Sequence, residues 1–278
     1  MNSTGITGKR VVGAWALYDF ANSPFTTLVV TFIYAAYFTQ AIAPDAIRGT
    51  ALWSRGVTIT AIAVALLSPI LGALADRGGY RKAFLILATG VCIVGTVALY
   101  WALPGQTLRA LTWFVVANIS FEMGMVFYNA FLPDIAPPER IGRISGFGWG
   151  LGYIGGLLAL AVALVTLVGP EVPWFGFSKQ GGENIRATNL LVAAWFGAFS
   201  LPMFLLVKED RSAVSARGQI LAHSWRQLSA TFGEIRQYRR VVGFGVGGGR
   251  DIEGLGAVWA GGGVGGAGAG GVGGGGGG

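Results

Sequence analysis

Residues 56–103 read GVTITAIAVALLSPILGALA, then DRGGYRK, then AFLILATGVCIVGTVALYWAL. Two uncharged runs, each the roughly 20 residues that a helix needs to cross hydrocarbon, flank a short turn holding Asp76, Arg77, Arg81 and Lys82. A lipid-embedded backbone finds hydrogen-bond partners only within its own helix or in a closed barrel. The stretch therefore predicts two membrane-spanning helices joined by a charged turn. Working outward, similar windows recur at 13–39, 110–132, 146–168 and 188–207, giving six spans with 56–75 and 83–103. Turn chemistry or charge breaks them at Ala43-Pro44-Asp45, at Pro104-Gly105, at Pro137-Pro138-Glu139-Arg140 and across 170–186. The expected fold is an all-α polytopic bundle over 13–207, after a short cytoplasmic segment 1–12.

Composition agrees. The chain is 53% hydrophobic and 12% charged, about half the charge of a soluble domain. A net charge of +7 would suit a nucleic-acid partner if it were clustered, but the basic residues follow topology instead. Fourteen lie before the first span, between spans 2 and 3, between 4 and 5, and after 6; they include Lys9, Arg10, Arg140 and Arg143. The opposite loops hold five: Arg48, Arg55, Arg109, Lys179 and Arg186. That asymmetry puts both flanks in the cytoplasm and the chain in the cell membrane. Asp19, Asn22 and Pro24 interrupt any signal-peptide core, so the first span is expected to be retained. A single cysteine, Cys92, and a single histidine, His223, exclude a disulfide framework and argue against a metal site. No phosphate-loop sequence is present and no cofactor is expected.

Two acids sit inside apolar spans, Asp19 in the first and Glu122 in the fourth, and no span carries a Lys or Arg in its interior to pair with them. A carboxylate at that depth is costly and marks a pathway or proton relay. On a helical wheel Trp15, Asp19, Asn22, Ser23 and Thr26 share one side, and Tyr37 returns to the azimuth of Asp19. Asn118, Glu122 and Asn129 form a second stripe. Two stripes centred on acids imply a shared water-filled cavity for a small polar solute and a proton. Pro24, without an N–H, is expected to loosen the first helix. Singly, Asn118, Ser23 and Thr26 also read as hydrogen-bonding glue between helices. Gly148, Gly152 and Gly156 recur every fourth residue and predict close helix packing. The flanking Trp149 and Tyr153 are expected to fill the core, the alternative being that they face the cavity.

Past the bundle, residues 208–242 read as a cytoplasmic linker in which Trp225, Leu228, Phe232 and Ile235 share one helical side, as in an amphipathic helix lying on the cytoplasmic face of the membrane or a linker helix packed on the domain. From 243 to 278 glycine dominates and ends in six consecutive residues. Such a segment is expected to be disordered, and to come from a frameshifted or truncated reading frame.

The turn Gly72-Ala-Leu-Ala-Asp76-Arg77-Gly78-Gly79-Tyr80-Arg81-Lys82 resembles the signature loop of the major facilitator superfamily, with Tyr80 where its first basic residue is expected. Residues 15–25, and 131–140 with 146–149, resemble the branch of vacuolar amino-acid effluxers of autophagy, and the likeness runs from about 10 to 240. The resemblance implies the N-terminal half of a two-half transporter, built from two three-helix inverted repeats. It also implies that spans 1 and 4 line the cavity, and that Gly72, Asp76, Arg77, Gly79, Arg81 and Lys82 form a conformational switch. The expected activity is secondary, proton-coupled transport of a small polar solute, an amino acid by analogy, completed by a C-terminal half or a second copy. The alternative is a six-helix membrane interaction protein that dimerises without transport. An intramembrane enzyme is disfavoured, because no nucleophile–base pair or histidine lies at membrane depth.

Overall fold

The computed structural model describes residues 8–209. The linker from 210 and the Gly-rich segment 243–278 lie outside the described residues. Among the described residues every regular element is helical, and six helices are long and apolar enough to cross a membrane. They are α1 (Lys9–Ile42), α2 (Ala46–Ala75), α3 (Arg81–Leu99), α4 (Thr107–Ile135), α5 (Pro138–Val168) and α6 (Gln180–Leu206). The six expected spans are present, but the helices outlast the apolar windows. Charge ends a lipid segment without ending backbone hydrogen bonding. The clearest correction is α2, which starts at Ala46 rather than 56 because the Asp45 carboxylate accepts the Arg48 N–H at 2.8 Å. Arg48, Arg55 and Arg186, read as loop residues, are all helical. At its other end the helix runs three residues past the α2 span, to Gly78, and stops at Gly79, whose φ of 63° is the left-handed cap conformation that favours glycine.

α1 packs along α5 and α6, while α4 packs along α3 and α2. Trp15, Tyr18, Phe25, Leu28, Tyr34 and Phe38 bury α1 in the middle of the bundle. α2 lies mostly at the surface and presents Val57, Ile59, Ile62, Leu66 and Leu67, side chains that suit acyl chains. Trp149 and Tyr153, expected in the core, are 67% and 60% exposed and meet each other edge to face at 5.1 Å. They stand outside because the opposite side of α5, made of glycines, is the side that faces α1.

That glycine face fixes how closely α1 and α5 approach. A Cβ on Gly148 would lie 2.8 Å from the Trp15 ring, one on Gly152 2.7 Å from Ser23 Oγ, and one on Gly156 2.6 Å from Thr27 Oγ1. Gly155 is tighter still: a Cβ there would collide with the Phe20 carbonyl oxygen. Between membrane helices dispersion and polar contacts take over from the hydrophobic effect, so small residues that bring backbones together stabilise the pair.

Pro24 reshapes α1. The helix is α-helical over Lys9–Pro24 and π-helical over Phe25–Phe32. Pro24 cannot donate to the Phe20 carbonyl; Trp195 of α6 does so instead, its Nε1 donating at 3.1 Å while its ring stacks on Phe20 at 5.2 Å. Trp195→Phe, which keeps an aromatic ring but no donor, should cost about 1–3 kcal/mol for a part-buried carbonyl left unpaired. Thermal unfolding of the purified variant checks this, and an unchanged Tm would count against it. The π segment also corrects the wheel: i→i+5 hydrogen bonding underwinds the helix, so azimuths do not carry from Asp19 to Tyr37. Tyr37 reaches α6 instead, its hydroxyl donating to the Gly181 carbonyl at 2.8 Å.

Candidate functional site

The α-helical half of α1 brings Trp15, Tyr18, Asp19 and Asn22 to the junction with α4 and α5. Asp19 is 6% exposed and Asn22 3%. The Trp15 indole donates to the Tyr128 carbonyl at 3.3 Å and stacks on the Tyr128 ring at 4.5 Å. Tyr18 stacks on the same ring at 4.9 Å, and its hydroxyl pairs with Thr89 Oγ1 at 2.7 Å. On the α5 side the backbone of Gly148 floors the site, with a notional Cβ there only 3.0 Å from Asp19 Oδ2. The Tyr128 hydroxyl is buried beside the Asp19 carboxyl. Asn22 Nδ2 reaches Met125 Sδ at 3.4 Å. Among the described residues no Lys or Arg forms an ion pair with Asp19. The arrangement is a carboxyl in an aromatic box, held by neutral dipoles, which suits it to take up and release a proton or to meet a cation.

The other residues of the first stripe are occupied locally. Ser23 Oγ donates to the Asp19 carbonyl at 2.8 Å, and Thr26 Oγ1 to the Ser23 carbonyl at 2.9 Å. Such back-bonds satisfy hydroxyls within their own helix and help to bend it. The second stripe divides: Asn118 is buried, whereas Glu122 and Asn129 are exposed on α4. Glu122 forms no hydrogen bond or ion pair among the described residues. The two acids thus occupy different surroundings rather than one walled cavity. α1 and α4 meet through long side chains, Phe25 on Phe121 at 5.0 Å as well as Asn22 on Met125.

At the charged turn the side chains of Asp76 and Arg77 lie outside the described residues, and a Cβ on Gly72 would meet open space. Arg81 makes the connections here. Its Nη1 donates to the Ala130 carbonyl at 2.7 Å and pairs with Asp134 at 2.9 Å, and its guanidinium lies over the Phe131 ring. The Glu209 carboxylate accepts the backbone N–H of Arg81 at 2.6 Å and that of Lys82 at 3.4 Å, capping α3, where the helix dipole favours a negative charge. Lys82 Nζ donates to the Val207 carbonyl at 2.8 Å. Sequence reasoning missed Tyr128 and Glu209. A tyrosine among apolar residues reads as core, and a cap supplied from across the whole bundle leaves no local spacing to recognise.

The family model described as "vacuole effluxer Atg22 like" matches residues 46–141 and 136–247. The MFS-type transporter YxiO of Bacillus subtilis is 30% identical over 234 residues, covering 83% of this chain and 54% of its own length. Autophagy-related protein 22-1 of Penicillium rubens is 20% identical over 266 residues, with 70% and 43% covered. The inner membrane metabolite transport protein YhjE of Escherichia coli is 26% identical over 193 residues, with 67% and 40% covered. The chain spans about half the length of the curated relatives it matches. No solved structure matches it.

Proposed function

We propose, for a chain that belongs to the family of Atg22-like vacuole effluxers, that it forms the six-helix half of a secondary transporter moving a small polar solute by alternating access, with Asp19 as the proton carrier. The observation that carries this reading is the Asp19 box. A buried carboxyl is tolerated there without a cation partner among the described residues, an arrangement that structural packing alone does not call for. An amino acid is the solute class favoured, on the resemblance to the vacuolar amino-acid effluxers of autophagy noted in the sequence. Arg81, with Asp134 and Glu209, ties the charged turn to α4 and to the chain after α6, which supports a switching role for Arg81 and Lys82, with Gly72, Asp76, Arg77 and Gly79 around them. The exposed Glu122 and Asn129 favour a second six-helix body, a C-terminal half or a second copy, since acyl chains offer such groups no partner. The excess of basic residues on one side of the bundle supports a cytoplasmic location for both flanks.

The test is reconstitution into proteoliposomes, scoring uptake of radiolabelled amino acids with and without an imposed pH gradient. Gradient-dependent accumulation above empty vesicles supports the reading. If reconstituted protein gives no flux but self-associates at six helices per copy, the dimerising interaction protein takes its place.

A further inference from the structure

A second polar cluster lies at the opposite end of the bundle from the charged turn, where α1 ends and α6 begins. Gly182, at φ 67°, sits under the Tyr37 ring and caps the regular α-helical part of α6, which begins at Glu183. Both Glu183 oxygens are engaged: Tyr100 Oη donates to one at 2.8 Å and the Ser178 N–H to the other at 3.0 Å. Three residues on, Arg186 lays its guanidinium over the Tyr100 ring at 5.8 Å and is only 7% exposed. Its Nε and Nη1 are buried with no hydrogen-bond partner, and among the described residues no carboxylate comes within ion-pair distance. Three residues further along the same side of α6, Asn189 is fully buried with both amide atoms unpaired. The Tyr34 hydroxyl of α1, within the electrostatic reach of Arg186, is buried and unpaired as well.

More than nine in ten buried polar groups find a partner, and a buried cation without one is the costliest exception. Here three side chains from two helices leave N–H and O–H donors unused in one place. Water can satisfy an amide or a hydroxyl; the Glu183 carboxylate lies within electrostatic reach of Arg186, but its two oxygens are bonded to Tyr100 and Ser178 and accept nothing from the guanidinium. What the cluster lacks is an acceptor of several hydrogen bonds that is itself negative. We propose that Arg186, Asn189 and Tyr34 form a binding site for a small oxyanion, a carboxylate or phosphate group, walled by the rings of Tyr37 and Tyr100. The site is separate from the Asp19 box and stands whether or not Asp19 carries protons.

A ligand that binds only the folded state raises its stability with concentration. The experiment is thermal unfolding of the purified chain in detergent, titrated with sodium acetate, sodium phosphate or short-chain phosphatidylglycerol, with sodium chloride holding ionic strength constant. A saturable rise in Tm of several degrees above the chloride control is expected for at least one of the three. A rise with acetate or phosphate identifies a free solute; a rise with the lipid alone identifies a headgroup, and either supports the site. Arg186→Met should lose that rise and, without added anion, melt no lower than the parent, because a buried charge with unpaired donors has been removed. Asn189→Leu leaves the stacked guanidinium in place and should also lose the rise. No saturable rise with any probe, or an equal rise in Arg186→Met, overturns the proposal. So does an Arg186→Met chain that melts well below the parent or fails to fold, since the guanidinium is then a structural part of the Tyr100 contact.

Discussion

Asp19→Asn abolishes accumulation driven by a pH gradient while leaving solute–solute exchange across the membrane measurable: that is the expected result in proteoliposomes. The amide matches the carboxylate in size, so it fits between the Gly148 backbone and Tyr128 without a new collision. What it cannot do is give up a proton. Exchange of one solute molecule for another needs the site to reorient but needs no net proton movement, so it separates a lost carrier from a lost fold. Glu122→Gln should have the smaller effect, because Glu122 is exposed on α4 and no aromatic box holds it. An Asp19→Asn protein that still concentrates solute against its gradient when only pH differs across the membrane rules out Asp19 as the carrier.

The largest effect on stability is expected at Gly155. Gly155→Val places a branched side chain where even a Cβ collides with the Phe20 carbonyl oxygen and comes within 2.9 Å of the Phe20 Cα. Backbone cannot swing aside as a side-chain tip can, so α1 and α5 must separate, and the Trp195 hydrogen bond to the same carbonyl is disturbed with them. Overpacking typically costs about 1–3 kcal/mol, occasionally more, and this site belongs at or above the top of that range. Gly150 lies on the same helix with nothing within 4 Å. Gly150→Ala should be neutral, or stabilise by up to about 1 kcal/mol through helix propensity. Loss of helical circular dichroism on heating compares the two, and equal melting would discount the close approach as a stabilising contact.

How much of this was readable beforehand differs from residue to residue. The six spans were legible because lipid imposes one strong constraint on composition, and each long uncharged run satisfies it. Their ends were not, because α2 starts at an Asp45 cap well outside the apolar run. The same error hid Arg186: counted as a loop charge, it lies inside α6 and is buried. Within α1 the wheel is a sound guide from Trp15 to Asn22 and loses its meaning past Pro24, where the backbone changes period. The α4 stripe shows the remaining gap. Azimuth alone places Asn118 and Glu122 together, but only the neighbours decide that one is buried and the other is not.

The cap that Glu209 places on α3 carries a consequence for biogenesis. The acceptor follows the Arg81 N–H it caps by 128 residues. At translation rates of about 5–20 residues per second, α3 waits roughly 6–26 s for it. During that interval α3, α4, α5 and α6 emerge while the first turn of α3 has only water or headgroups to bond. Closing that contact then registers that α6 has arrived, so a ribosome that stalls within α6 leaves a bundle in which the first turn of α3 still lacks its cap.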